Sequence, residues 1–599
     1  MKRRMMNWLG VLCGVMVAQT AWGQRIFNGT GGPIKDDKSA NVYSLKVTGL
    51  AANINESFGL EKVCVNIQHT WDSDLDIYLV SPDGTVADLC RRNGEGDDNF
   101  LNTCFTHEAE IHINDGAAPF SGNYRPEVPF GGINNGQNPN GTWKLVVVDT
   151  EPAEESGKVN SWTLYFSNKP AKPYVMKPSM LPILVIKSQG DPVRDEPKVT
   201  VRMGIIDNGP GKTNLPTDAW NGFEGLAKME VRGRSSQRHS KLSFGLQTLD
   251  SLGQKPKAAK LLDLPKENDF VLSANHSDKS LLRNYLAYYL YGQMGNYSPR
   301  MRFVNVVMDG EYRGVYLLGE KIKRGGNRVD IAKMDDNDNA GDSLTGGYII
   351  KTDWRQGSNN DGWESQFPPM NSDEKQNWLF HYPEADDITE QQRAYIHAFV
   401  DSFELACNKG LTDARTGYPH FIDVASFVDV MIMSELGKNV DAYWLSSFYH
   451  KDKASKGGKL KAGPIWDYDL AFGNFEYHYG YAPNGWHWEE YGVSSDKTPF
   501  FWGFLARDPA FQNQVKCRWQ SLRKSVLSQE KVLGLIDSLA TALDGSQQMN
   551  FEVWPILGDY IWPNPKPYEA DYAGEVRRVK EWMIMRMAWM DYAMPGKCN

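Results

Sequence analysis

Residues 170–181, PAKPYVMKPSML, constrain the fold of this chain more than any other short stretch. Proline fixes φ and removes a backbone donor, so neither a helix nor an inner strand continues through such a segment. It reads as a Pro/Lys-rich linker, and the periodicity of the sequence differs on its two sides. With 599 residues the chain is in any case too long for one core, and about two to four domains are expected.

Before the linker, residues 24–169 read as all-β. Strand-like runs at Lys62–Ile67, Asp74–Val80, Trp143–Asp149 and Ser161–Phe166 are separated by turn clusters such as Ser81-Pro82-Asp83-Gly84 and Asn138-Pro139-Asn140-Gly141. That spacing suggests a sandwich. Asp72, Asp74 and Asp76 alternate, so on a strand they share one face. After the linker the pattern is mixed. Leu181–Lys187 and Lys198–Ile206 read as strands, and Met229–Arg232 with Lys241–Leu246 as a hairpin around a polar loop. Leu281–Met294 has helical spacing behind Ser277 or Asp278. Arg302–Met308 and Gly314–Glu320 are strands joined by the turn Asp309-Gly310. Ala425–Gly437 reads as an amphipathic helix capped by Asp423 or Ser426, and the last helix covers about Glu575–Tyr592.

The formal net charge is −9 and no long basic run occurs. A nucleic-acid or anionic-membrane surface is therefore not expected. Lys2, Arg3 and Arg4, the apolar run Trp8–Ala18 and the small-x-small signal Ala21-Trp22-Gly23 before Gln24 form a cleavable leader. The apolar run is too short to span a membrane comfortably. The expectation is a secreted or periplasmic protein with no stable membrane insertion. Cys13 leaves with the leader; Cys64, Cys90, Cys104, Cys407, Cys517 and Cys598 remain. Disulfides are permitted, and Cys90 with Cys104 is the expected pair because the two flank one Gly/Asp-rich loop.

Chemistry concentrates in Gly463-Pro464-Ile465-Trp466-Asp467-Tyr468-Asp469-Leu470-Ala471-Phe472-Gly473. On extended backbone Asp467 and Asp469 share a face and offer two hard oxygen ligands, as Mg²⁺ bridging to phosphates requires. Asp441 lies 26 residues upstream (467 − 441). A base-like Asp, then a strand, then a metal-binding Asp near a glycine is the chain order of the catalytic half of a protein kinase.

Two resemblances extend this reading. The blocks "HTWDSDLDIYLVSPDGT", "APFSGNYRPEVPF", "NPNGTWKLVVVDT" and "SGKVNSWTLYFSN" resemble, in order, the P domain (homo B domain) of subtilisin-like proprotein convertases. The resemblance implies a jelly-roll β-sandwich. It does not imply a protease, since no Gly-x-Ser-x-Gly elbow and no ordered Asp, His and Ser blocks occur. Related P domains often carry calcium, which makes Asp72, Asp74, Asp76 and Asp149 candidate Ca²⁺ ligands; a solvated acidic strand face is the other reading.

From about 182 onward the chain resembles CotH-type proteins, through "EVRGRSSQRHSKLSF", "LPKENDFVLSANHSDKSLLRNYLAYYL", "MDGEYRGVYLLGEKIKRGGNRVDI", "LTGGYIIKTD", "SELGKNVDAYWLSSFYHKD" and "GPIWDYDLAFGN". That family implies an atypical kinase fold that transfers phosphate from ATP to Ser or Thr of secreted or coat proteins. The expected organisation is multidomain: leader 1–23, P-type β-sandwich 24–169, linker 170–181, and an α+β atypical protein-kinase-like domain 182–599.

By the same resemblance Lys241 reaches the nucleotide phosphates, the other reading being a strand-edge lysine. Arg232, Gly233, Arg234, Ser235 and Ser236 form a covering loop. Asp441 is the base, or else a surface residue past a helix. Asp467 holds Mg²⁺ or Mn²⁺, with Asp469 a second ligand. Ser446 and Ser447 stand where a kinase has a metal-binding Asn, a departure that puts a second metal in doubt. Glu320 pairs with Lys241, or else with Lys321 or Lys323. Arg283 and Asn284 cap and pack their helix. The implied partner is a secreted or surface protein. A pseudokinase-like surface or adhesion protein, and a module associated with serine-type peptidases, are the alternative functions.

Overall fold

The computed structural model describes residues 23–152, 157–355, 360–369, 372–490 and 497–598. The expected leader, up to Trp22, lies outside the described residues. The chain divides into two compact units, Met1–Pro173 and Tyr174–Asn599.

The first unit contains β1 (Arg25–Ile34), β2 (Ala40–Val47), β3 (Gly59–Gln68), β4 (Leu75–Val80), β5 (Val86–Arg91), β6 (Phe100–Thr106), β7 (Phe120–Tyr124), β8 (Gly141–Asp149) and β9 (Gly157–Ser167). They form a five-stranded sheet, β1-β9-β3-β6-β7, and a four-stranded sheet, β2-β8-β4-β5. Val63, Val65 and Ile67 of β3 share one core with Ile77 and Leu79 of β4 and with Trp143 and Trp162. Alternation on β3 supplies that inward face.

Two expectations fail here. The bridge is Cys64–Cys104, not Cys90–Cys104. Antiparallel pairing sets Cys64 of β3 directly opposite Cys104 of β6. Cys90 sits on β5 in the other sheet, buried and free. The loop after Cys90 crosses between sheets, so flanking one loop did not bring the two thiols together. The alternating acids also do not share a strand face. Asp72–Asp74 is a single 3₁₀ turn ahead of β4, and Asp149 is engaged by His69 Nε2 at 3.1 Å.

The Pro/Lys-rich segment is fastened within each unit rather than loose. Ala171 N–H donates to the Leu60 carbonyl at 2.9 Å, and Asn134 Nδ2 donates to the Ala171 carbonyl at 2.8 Å. Beyond Pro173, Lys177 pairs with Glu552 at 2.9 Å and Met176 packs with Met549.

In the second unit β10 (Ile183–Lys187), β11 (Val199–Ile206), β12 (Phe223–Arg232), β13 (Ser243–Thr248), β14 (Asp269–Ser273), β15 (Met301–Met308) and β16 (Glu311–Glu320) close a barrel in the order β10-β11-β12-β13-β14-β16-β15. Closure comes from the parallel pairing of β10 with β15. Leu184, Val201, Met203, Met229, Leu246, Leu272 and Leu318 belong to its core. A second sheet, β18-β19-β17-β20-β21, is built from β17 (Tyr348–Thr352), β18 (Gly362–Glu364), β19 (Asn377–Tyr382), β20 (Ser447–Lys451) and β21 (Leu460–Ala462). The helix Arg283–Gln293, the helix Val424–Gly437 and the terminal helix Tyr572–Ala593 contribute to one large core. Asp423 caps Val424–Gly437 by accepting from Ser426 N–H. That helix is not amphipathic: from Phe427 nearly every residue except Val430 is buried. It packs on the helices 283–293, 509–523 and 572–593 and on β21, and its buried acids Asp429 and Glu435 are paired with Arg518 and Arg586. No described helix is long and apolar enough to cross a membrane.

Candidate active site

A cavity of about 880 Å³ lies within the second unit. Arg232, Gly233, Arg234, Ser235 and Ser236, between β12 and β13, line one part of it, and Asp441, Asp467 and Asp469 another. These eight predicted residues come from two segments, 232–236 and 441–469, more than two hundred residues apart in sequence, with a single residue between Asp467 and Asp469.

The acidic wall is built by an unusual turn. After β21 the chain enters no strand, and Asp467 takes φ +65°, against the expected extended backbone. A non-glycine residue in this region costs about 1–2 kcal/mol, so neighbouring groups must hold it. Asp467 N–H donates to Tyr288 Oη at 3.0 Å, and the Asp467 carbonyl accepts from Asn439 Nδ2 at 3.0 Å. Tyr468 N–H donates to Asn284 Oδ1 at 2.7 Å, and Arg283 Nε donates to the Ala471 carbonyl at 3.0 Å. Arg283 and Asn284 therefore do more than cap and pack: with Tyr288 they make the helix 283–293 a template for this turn. Arg283 is itself fixed by Asp278 at 2.5 Å.

Despite the kink, each of the Asp467 and Asp469 carboxyls shifts the titration of the other. Burial, then the charges of Asp467 and Asp353, pushes the Asp441 carboxyl up to about 8. Burial holds Asp467 above the ordinary carboxylate range, and burial with the Asp467 charge holds Asp469 well above it. On the basic side, burial depresses Arg232, and Asp467 opposes that shift. Half-buried acids that resist ionising beside one another suit a cation.

Four sequence expectations are corrected by position. Lys241 does not line the cavity. Its Nζ donates to the Val315 carbonyl at 2.5 Å and to Asn550 Oδ1 at 2.9 Å, above the Tyr316 ring at 4.7 Å. It precedes β13 and is captured by the helix Ser546–Val553 that packs on β16. Glu320 pairs instead with Arg300, at 2.7 Å, and with Arg328 at 3.8 Å. Ser447 turns its hydroxyl to the Leu445 carbonyl at 3.0 Å, whereas Ser446 Oγ reaches Asp467 Oδ2 at 3.4 Å. In the first unit, Asp72, Asp74, Asp76 and Asp149 do not converge as a metal-holding group.

Two residues escaped the sequence analysis. Asp353 ends the segment after β17, lines the cavity and is paired with Lys351 at 2.7 Å. Its signal was an acid at a strand end inside a block already singled out. Asn439 is the amide sought downstream of Asp441, but it lies two residues upstream. It is 2% exposed, and its Oδ1 has no hydrogen-bond partner among the described residues.

Among the described residues no group of three or more His, Cys, Asp or Glu side chains is placed to hold a metal by itself. Asp467 and Asp469 suit Mg²⁺ or Mn²⁺ in the other way. Mg²⁺ is commonly bound through one or two carboxylates, with phosphates and water completing its shell.

Comparison with known proteins gives two family matches. The model described as CotH kinase protein matches residues 229–590, and that described as proprotein convertase P-domain matches residues 61–166. Leupeptin-inactivating enzyme 1 of Streptomyces exfoliatus is 33% identical over 145 residues, 24% of this chain and 26% of that protein. Two solved structures are also similar: the serine protease of Aeromonas sobria, 20% identical with a TM-score of 0.15, and its complex with the chaperone ORF2, 19% identical with a TM-score of 0.16. Each match covers 24% of this chain and 26% of the other, so the chain spans about a quarter of the length of these relatives.

Proposed function

The chain belongs to the CotH kinase protein family, and we propose that it is an atypical protein kinase that transfers the γ-phosphate of ATP to Ser or Thr of proteins outside the cytoplasm. The observation that carries this reading is the meeting of Asp441, Asp467 and Asp469 in one cavity with the basic loop 232–238. The barrel is the counterpart of a kinase's nucleotide-covering lobe, and the sheet and helices beyond it the counterpart of the catalytic lobe. Asp467 and Asp469 hold Mg²⁺ or Mn²⁺; when bound, the metal supplies charge neutralisation at the donor phosphates. Asp441 orients the acceptor hydroxyl and takes its proton. The Asp467 turn, fixed by Tyr288 and Asn439, keeps these groups in register. Two disulfides support an oxidising compartment, and the P-type unit serves to dock the enzyme on a protein partner.

The test is transfer of label from γ-labelled ATP by the chain from Gln24 onward, with Mg²⁺ or Mn²⁺. Label on the protein or on a Ser-rich acceptor, lost in Asp441→Asn and in Asp467→Ala, is the expected result. A second reading, a pseudokinase-type surface or adhesion protein, is favoured by the Ser447 hydroxyl being turned to the Leu445 carbonyl. Absence of transfer together with absence of a nucleotide-induced thermal shift would put that reading first.

A further inference from the structure

Displacement of Lys241 from the cavity leaves open which cations meet the donor's phosphates. Arg232 ends β12, and Lys321 follows the last residue of β16; both line the cavity. The Arg232 guanidinium lies over the Trp466 ring, 5.5 Å from its centroid. Among the described residues it makes no hydrogen bond or ion pair, although its charge faces Asp467. Lys321 has none either. Asp269, the first acid that attracts it, is taken by Lys323 Nζ at 2.6 Å and by Gln247 Nε2 at 2.9 Å. Arg232 and Lys321 also repel each other. Of the other cations that line the cavity, Lys351 is used on Asp353 at 2.7 Å and Lys198 on Glu230 at 3.3 Å; Lys228, Arg234 and Arg238 line it too, with Arg234 over the Trp354 ring, but Arg232 is the cation whose charge acts on Asp467.

A half-buried guanidinium keeps five N–H donors, and leaving them unmatched is costly. Two neighbouring cations without an anion between them add like-charge repulsion. A polyphosphate removes both costs at once, because it presents several acceptor oxygens and spreads its negative charge over the distance between the two heads. We propose that Arg232 and Lys321 form the clamp on the polyphosphate of the donor nucleotide, the role that chain order assigns to Lys241. Arg232 grips through its planar fork, stacked on Trp466 and adjacent to the Asp467 turn, so the phosphates lie between the clamp and the metal ligands. Lys321 supplies a point charge from the barrel end. This inference rests on the kinase reading.

The test is calorimetric titration of the full chain with ATP, ADP, AMP and adenosine in Mg²⁺, for wild type, Arg232→Ala, Arg232→Lys, Lys321→Met and Lys241→Met, each checked by thermal melting. Loss of one charge-assisted contact is expected to weaken ATP binding about tenfold to hundredfold in Arg232→Ala and in Lys321→Met. The loss should shrink through ADP and AMP and vanish for adenosine. Arg232→Lys should recover only part of it, and Lys241→Met should keep wild-type ATP affinity. Wild-type ATP affinity in both Arg232→Ala and Lys321→Met overturns the clamp, as does a loss of equal size for adenosine. These two variants decide the matter even if Lys241→Met does not fold. A wild-type chain that binds none of the four ligands overturns the kinase reading and the clamp with it, which is a distinct result.

Discussion

Tyr288→Phe removes one oxygen and leaves the ring, so it isolates how the acidic turn is held. The Tyr288 hydroxyl accepts from Asp467 N–H at 3.0 Å, while its ring stacks on Trp466 at 5.8 Å and 20°, a contact that Phe retains. Without the hydroxyl a buried N–H has no acceptor, at a cost of about 1–3 kcal/mol. Asp467 already carries about 1–2 kcal/mol for its left-handed backbone. Its remaining backbone tether is the Asn439 bond at 3.0 Å. The turn then gains more by relaxing to ordinary backbone than it loses, and Asp467 leaves its place beside Asp469. The expected outcome is a loss of stability of about 1–3 kcal/mol. The matching expectation for Mn²⁺ is binding weaker by about 5- to 150-fold, read by calorimetry, with phosphate transfer at saturating metal changed far less. Asn439→Ala should act in the same direction, and the double variant should be less than additive, because both tethers hold one residue. If denaturant midpoint and metal affinity are both unchanged, the template role of the helix 283–293 is wrong. If only stability falls, the hydroxyl serves the fold alone.

Three further outcomes follow from the lysine and the cysteines. Burial lowers Lys241 to about 7, against about 10.4 in an unfolded chain. Between those values the unfolded state binds more protons, so stability rises with pH, by at most about 1.4 kcal/mol per pH unit. Lys241→Met should abolish that slope in denaturant midpoints taken at pH 7 and pH 9, and parallel profiles in the two proteins would refute the assignment. Cys64→Ser opens a bridge between residues 40 apart, which loop-closure entropy values at roughly 4 kcal/mol, read as an earlier unfolding transition. In the chain from Gln24, thiol titration in denaturant should count two free cysteines, Cys90 and Cys407, and one after Cys90→Ala. A rise in the count instead would restore the Cys90–Cys104 pairing.

Local signals in the sequence carried through wherever neighbouring residues decide the geometry. Asp309-Gly310 joins β15 to β16 with both residues at positive φ, which is what an Asp-Gly hairpin turn requires. Asp423 caps its helix as its side chain dictates. Turn clusters separated the strands of the first unit for the same reason. What failed to show in the sequence depends on partners far along the chain. The direction of Lys241 is set by Asn550, 309 residues away. The partner of Cys104 is set by which sheet Cys90 joins. Arg283 and Asn284 looked like first-turn polar residues, because nothing near them announces that Ala471 and Tyr468 will lie against that helix face. Asp353 was hidden because one acid at a strand end has no spacing to reveal it.

The placement of charge in the cavity follows from the same long-range closures. Asp467 and Asp469 come from a segment after β21 that is held by a helix lying between β14 and β15, and Asp441 from the stretch between the helix Val424–Gly437 and β20. The cations come from the ends of β12 and β16, which stand in one barrel with β13 and β14 between them. Burial pushes Asp441, Asp467 and Asp469 up, and the Asp467 charge adds to the shift of the other two, while Arg232 and Lys321 repel each other. If the two groups simply neutralised each other, direct Arg–Asp pairs would form across the cavity, as Arg283 and Asp278 do elsewhere in this unit. Holding like charges apart from their opposites costs stability, and it is retained where a ligand carrying both signs completes the arrangement. A divalent cation on a polyphosphate is such a ligand, with its metal end suited to the acids and its anionic end to the arginine and lysine.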